Sequence, residues 1–64
     1  MKVKDLRLKT LPELFKLLNE ERKKLFDLKL QKSINKLKQT HLLKLTRKNI
    51  ARILTIINEK KKNG

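Results

Sequence analysis

Cysteine, tryptophan and tyrosine are missing from this chain of 64 residues, and glycine, proline and histidine occur once each. Each scarcity excludes something. Without cysteine there are no disulfides and no thiolate metal sites to supplement a small core. The lone glycine is Gly64, the last residue, so no glycine-rich phosphate loop exists. Glu20 and Glu21 are adjacent and point about 100° apart, which rules them out as a carboxylate dyad. The chain is therefore read as no enzyme, with no cofactor, no metal and no small-molecule substrate. Long apolar runs are missing too. Nothing approaches the roughly 20 apolar residues that span a bilayer, and the longest runs are short pieces such as Ile53-Leu54 and Ile56-Ile57. Met1-Lys2 leads into charged residues and not into an apolar signal region, so the reading is an intracellular protein without membrane insertion.

Acidic residues are scarce as well, and this scarcity says most about partners. There are 19 Lys and Arg against 6 Asp and Glu, a formal charge of +13. Residues 1–27 hold eight basic and five acidic side chains, residues 28–64 eleven basic and one acidic, and no acid lies between Leu28 and Asn58. Charge that served only to keep a surface solvated would mix both signs. An imbalance this large implies a polyanion, either nucleic acid or an anionic membrane surface. Size points to a partner as well, since a chain this short buries only roughly 60% of its unfolded surface and has a marginal core.

What is present is helix-forming: leucine, lysine, glutamate and glutamine, with little strand-like alternation. The expected architecture is all-α, a long antiparallel two-helix hairpin resembling a coiled coil, with a short N-terminal helix. The expected helices span about 2–8, 11–37 and 40–59, in a single domain over 1–64 with a basic tail at 60–64. Val3, Leu6 and Leu8 are available to pack the first. Thr10-Leu11-Pro12-Glu13 reads as a capping box, with Pro12 tolerated in the first turn. Exposed pairs Lys16–Glu20 and Glu20–Lys24 would support the long helix. The break near Lys38–Thr40 has only Asn35, Gln39 and Thr40 as cap-like residues, and one unbroken helix over 11–59 is the rival reading. Periodicity favours the hairpin. Leu43, Thr46, Ile50, Ile53, Leu54 and Ile57 share one face of the last helix. The long helix carries two stripes, Leu11/Leu14/Leu18/Leu25/Leu28 and Phe26/Leu30/Ile34/Leu37, where a simple coiled coil would keep one.

The candidate binding residues are basic. Lys44, Lys48 and Arg52 are spaced i, i+4, i+8 and line up nearly opposite the apolar face, with Arg47 at its edge. Lys29, Lys32, Lys36 and Lys38 add charge around the turn. Such a ridge suits phosphate contacts, where Arg binds bidentately and Lys acts as a point charge. His41, lacking a second ligand at helical spacing, is read as a solvent-facing or RNA-stacking imidazole. Phe26 reads as core, so base stacking has little support, and recognition is expected through phosphates and shape. Leu42, Leu45 and Ile56 lie off the core stripe. They either meet the short first helix or form a protein-contact patch.

Several segments resemble the bacterial-type large-subunit ribosomal protein L-twenty-nine family. They are Met1-Lys2-Val3-Lys4-Asp5-Leu6-Arg7, Phe26-Asp27-Leu28-Lys29-Leu30-Gln31, His41-Leu42-Leu43-Lys44, and the more specific Arg47-Lys48-Asn49-Ile50-Ala51-Arg52-Ile53 followed by Thr55. The likeness covers essentially the whole chain. It implies a helical hairpin that binds large-subunit rRNA near the peptide exit tunnel, beside the ribosomal protein L-twenty-three and close to factors that meet nascent chains. Such a protein would be ribosome-bound, in the cytoplasm or in an organelle matrix or stroma. Lys29 stands where the family usually has arginine, and Asn49 where an acid is common. Two other classes compete: a basic helical nucleic-acid-binding module off the ribosome, and an amphipathic helix on an anionic membrane surface. The second is disfavoured by split apolar stripes and the lack of interfacial Trp or Tyr.

Overall fold

Three helices follow one another in a computed structural model that describes residues 2–63, with Asn63 as backbone alone. They are α1 (Val3–Arg7), α2 (Leu11–Ser33) and α3 (His41–Asn63). The long pair packs side by side and α1 docks on α3, giving a rod 44 Å long and 17 × 14 Å across.

α2 starts at the capping box. The Glu13 N–H donates to Thr10 Oγ1 at 3.4 Å, and the Thr10 N–H donates to Glu13 Oε1 at the same distance. The Thr10 hydroxyl also donates to Glu13 Oε1 at 2.9 Å. These bonds satisfy amides that have no partner within the helix. Hydrogen bonds from the Thr10 hydroxyl first, then from its N–H, hold the Glu13 carboxyl below its ordinary value, with Lys9 adding to the effect.

α2 ends at Ser33, not near Leu37 as the apolar period suggested. The reason is local. Asn35 adopts a left-handed conformation (φ 58°), which Asn tolerates better than most residues. The Lys36 N–H then donates to the Gln31 carbonyl at 2.8 Å, and the Asn35 N–H to that of Lys32 at 3.1 Å. This is a Schellman termination with Asn in the place usually held by Gly. It turns the chain into the hairpin and removes the unbroken-helix alternative. At the other end, α3 runs on to Asn63 instead of stopping at Glu59. Its last turns have work to do: Lys60 Nζ donates to the Arg7 carbonyl at 3.0 Å, and Glu59 Oε2 lies 3.4 Å from Arg7 Nε. Gly64, the end of the expected tail, lies outside the described residues.

The core sits at the open end of the hairpin, where Leu6, Leu14, Leu18, Ile53, Ile56 and Ile57 cluster, with Val3, Leu11, Leu17 and Ile50 packed against them. Leu28, Leu43 and Thr46 are buried nearer the turn. Three expectations change, and one pair of alternatives is resolved. Ile56 is 1% exposed and belongs to the core cluster with Leu6, so of its two readings the one that packs it against the short first helix holds. Leu54, placed on the core face, is 38% exposed. Leu8 is exposed just past the end of α1. Phe26 is 69% exposed, and Leu30 and Ile34 of its stripe are exposed with it. The causes differ for the two long helices. α1 covers the Ile56 side of α3, rotating the buried arc away from Leu54, while α2 has one long partner and leaves its second stripe uncovered.

Two polar side chains at mid-hairpin each hold a buried oxygen without a partner. Glu21 is 5% exposed; its Oε1 is 3.6 Å from Lys24 Nζ, and Oε2 has no partner. Lys24 thus pairs with Glu21 at i, i+3, where spacing suggested Glu20. Asn49 Oδ1 on α3 is also buried without a partner.

Candidate nucleic-acid interface

The basic residues are exposed because the core face of α3 is fixed by Leu43, Thr46, Ile53 and Ile57. Lys44, Lys48 and Arg52 fall on the far side of the helix, and all three are exposed. Their carrier is a continuous helix whose 23 residues span about 35 Å at 1.5 Å per residue. One helical turn separates each from the next, about 6 Å along the axis.

The turn gathers the other cations into two groups. Lys32 of α2 joins Lys44 and Arg47 of α3 around a cleft of about 340 Å³, which Thr40, His41 and Leu43 complete. A second cleft of about 310 Å³ holds Lys36 and Lys38 of the connecting segment, against Leu28, Leu37 and Leu42. Lys29 is exposed on α2 and lines neither cleft; Lys48 and Arg52 lie farther along α3. The eight candidate cations therefore form a ridge and a two-sided turn, not one pocket. Of the proposed protein-contact residues, Leu45 is exposed and Leu42 half-buried.

Electrostatics at this end runs one way. Like charges about 10 Å apart in water repel by roughly 0.4 kcal/mol per pair, and there is no acid between Leu28 and Asn58 to offset it. Each phosphate brought to the ridge converts repulsion into attraction. Sequence reasoning missed two parts of this surface. One is the polar lining that Thr40 and His41 give the cleft at the start of α3. The other is the exposure of Phe26 and Phe15, which no periodicity argument reveals while a second apolar stripe is free to be core.

Among the described residues, no group of three or more His, Cys, Asp or Glu side chains comes together as a metal site, and no helix is long and apolar enough to cross a membrane.

Residues 4–60 match the family described as Ribosomal L29 protein. A large ribosomal subunit protein uL29 of Mycoplasmopsis pulmonis is 39% identical over 64 residues, covering 100% of this chain and 98% of the relative. Its counterpart in Acinetobacter baumannii is 44% identical over the same coverage. That of Thermotoga petrophila is 45% identical over 60 residues, 94% of this chain and 91% of its own. With a match running nearly end to end and a fold of two long helices plus one short, the chain belongs to the ribosomal L29 protein family.

Proposed function

We propose that this chain is a structural component of the large ribosomal subunit that fastens to rRNA through phosphate and shape recognition, without catalysis. The observation that carries the reading is the acid-free stretch from Leu28 to Asn58, folded so that Lys44, Lys48 and Arg52 line one side of a continuous helix. Arg52 and Arg47 offer planar forks to phosphate oxygens, and the lysines offer point charges. Lys32, Lys36 and Lys38 extend the charge around the turn. Family membership supports a seat near the exit of the peptide tunnel, beside L-twenty-three and within reach of nascent-chain factors, with Leu45 and Leu42 as the apolar contact. It also supports a ribosome-bound location, in the cytoplasm or an organelle.

The test replaces Lys44, Lys48 and Arg52 together by glutamate. All three are exposed, and surface changes usually stay within about 0.5 kcal/mol each, so helicity should be nearly normal. Three attractions to phosphate become three repulsions, and the variant should fail to sediment with large subunits. Incorporation equal to wild type would remove the ridge as the RNA face.

A further inference from the structure

The chain's two aromatic residues are both exposed, and they stand in a pattern. Phe15, Arg22, Phe26 and Lys29 are spaced i, i+7, i+11, i+14 along α2, which places them within about 60° of arc on one flank. Aromatic and cation alternate. Lys61 of α3 lies over the Phe15 ring, 5.5 Å from its centroid, and so marks the flank on which α3 meets this row. Glu59, two residues before Lys61, points about 200° away, where it pairs with Arg7. Acids are absent from the row itself. Of the four acids on α2, Glu13 is held in the capping box, Glu21 is buried, and Glu20 and Asp27 turn about 120° and 100° away from Phe26. Lys61 already occupies the Phe15 face; Phe26, 69% exposed, is the open ring.

We infer that Phe26 is a stacking platform for an unpaired RNA base, with Arg22 and Lys29, one turn to either side, holding the flanking phosphates. A flat aromatic face between cations on an acid-free flank is what single-stranded RNA recognition uses. A protein helix seated on Phe26, Leu30 and Ile34 would need acidic flanks to match Arg22, Lys23 and Lys29. RNA meets the charge and the ring together. The inference rests on the rRNA-binding reading and adds a second face to it, contributed by α2, which takes unpaired nucleotides where the α3 ridge takes backbone.

Two variants of the full chain test this. Phe26→Leu keeps an apolar side chain and removes the ring; Phe26→Trp keeps a ring and supplies a fluorophore that the chain otherwise lacks. The probes are an RNA stem with a single-stranded uridine-rich tail and the same stem blunt-ended. Phe26→Leu should bind the tailed stem at least roughly fivefold more weakly than wild type, the low end of what stacking contributes per base. It should bind the blunt stem within about twofold of wild type. Emission of the Phe26→Trp protein should be quenched by the tailed stem and not by the blunt one. Equal binding of the tailed stem by Phe26→Leu and wild type, or equal losses on both stems, overturns the platform. So does unquenched emission in the bound Phe26→Trp protein. In each of these cases the wild type still binds RNA, so the phosphate-binding role survives. Wild-type protein that binds neither stem removes both.

Discussion

Lys60 Nζ donates a 3.0 Å hydrogen bond to the main-chain carbonyl of Arg7, joining positions 53 residues apart. The acceptor is one of the last carbonyls of α1, which has no partner within that short helix. Because the acceptor is backbone, Arg7→Ala keeps this bond and loses the exposed Arg7–Glu59 ion pair, worth about 0–1 kcal/mol. Lys60→Ala loses a charge-assisted bond, which should amount to about 1 kcal/mol at this exposed site. Thermal melts followed by circular dichroism should rank Lys60→Ala below Arg7→Ala. The reverse order would mean that α1 is held by its ion pair.

The core boundary on α3 is tested by neighbours that differ in burial. Ile56→Ala opens a cavity among Leu6, Ile53 and Ile57 and should cost about 2–5 kcal/mol. In a chain this small that is enough to unfold most molecules at 37 °C. Leu54→Ala, at a partly exposed position, should cost less than about 1 kcal/mol. Similar urea midpoints for the two would place Leu54 back in the core.

Glu21 invites a stabilising change. Its carboxyl is buried with one oxygen unpartnered, and its ion pair with Lys24 is long at 3.6 Å. Exchange of a poorly satisfied buried charge for an apolar side chain of similar size is often neutral or stabilising by about 1–4 kcal/mol. Glu21→Leu should therefore raise the midpoint of thermal unfolding, while Lys24→Ala lowers it. A lower midpoint for Glu21→Leu would show that the buried Glu21 carboxyl contributes net stability.

Acid should loosen the start of α2. The Glu13 carboxyl is lowered by bonds from Thr10, which exist only in the folded chain. A group whose value is depressed on folding adds stability that is fully present above its unfolded value and is lost as pH falls through its folded value. Amide exchange at Glu13, followed by NMR after correction for its intrinsic pH dependence, should lose protection below the ordinary carboxylate range. Glu13→Gln should abolish that pH dependence. Protection that stays constant into strong acid would show that the box holds without the charge.

Residues with short-range causes were legible before the fold was known. Thr10 and Glu13 form their box because both partners lie three positions apart, and the α3 face follows from Leu43, Thr46, Ile53 and Ile57 at helical spacing. The end of α2 was harder: Ile34 and Leu37 continue the apolar period past the turn, and the stop depends on the backbone of Asn35, a weaker signal than glycine. Ile56, Leu54 and Phe26 could not be placed from period alone. The burial of Ile56 and Leu54 depends on where five residues of α1 land, that of Phe26 on whether any helix lies against the second stripe of α2, and an apolar side chain has the same pattern whether a neighbour covers it or not. The basic ridge was visible because lysine and arginine reach solvent whatever the packing. Which of them share a cleft depends on the path of the turn.

The core cluster lies wholly at the open end of the hairpin, between α1, the first half of α2 and the second half of α3. Most of the candidate cations lie toward the other end, where Leu28 and Leu43 provide the burial. Local opening should be easiest where few apolar contacts hold the backbone. The molecule is thus graded along its length, with a firm grip at one end and a compliant tip at the other. Hydrogen exchange of free protein should reach its slowest rates around Leu14, Leu18 and Ile53 and its fastest between Ile34 and Thr40. A tip held by so few apolar contacts has the most to gain from an external partner, so a polyanion bound there should slow its amide exchange more than that of the open end.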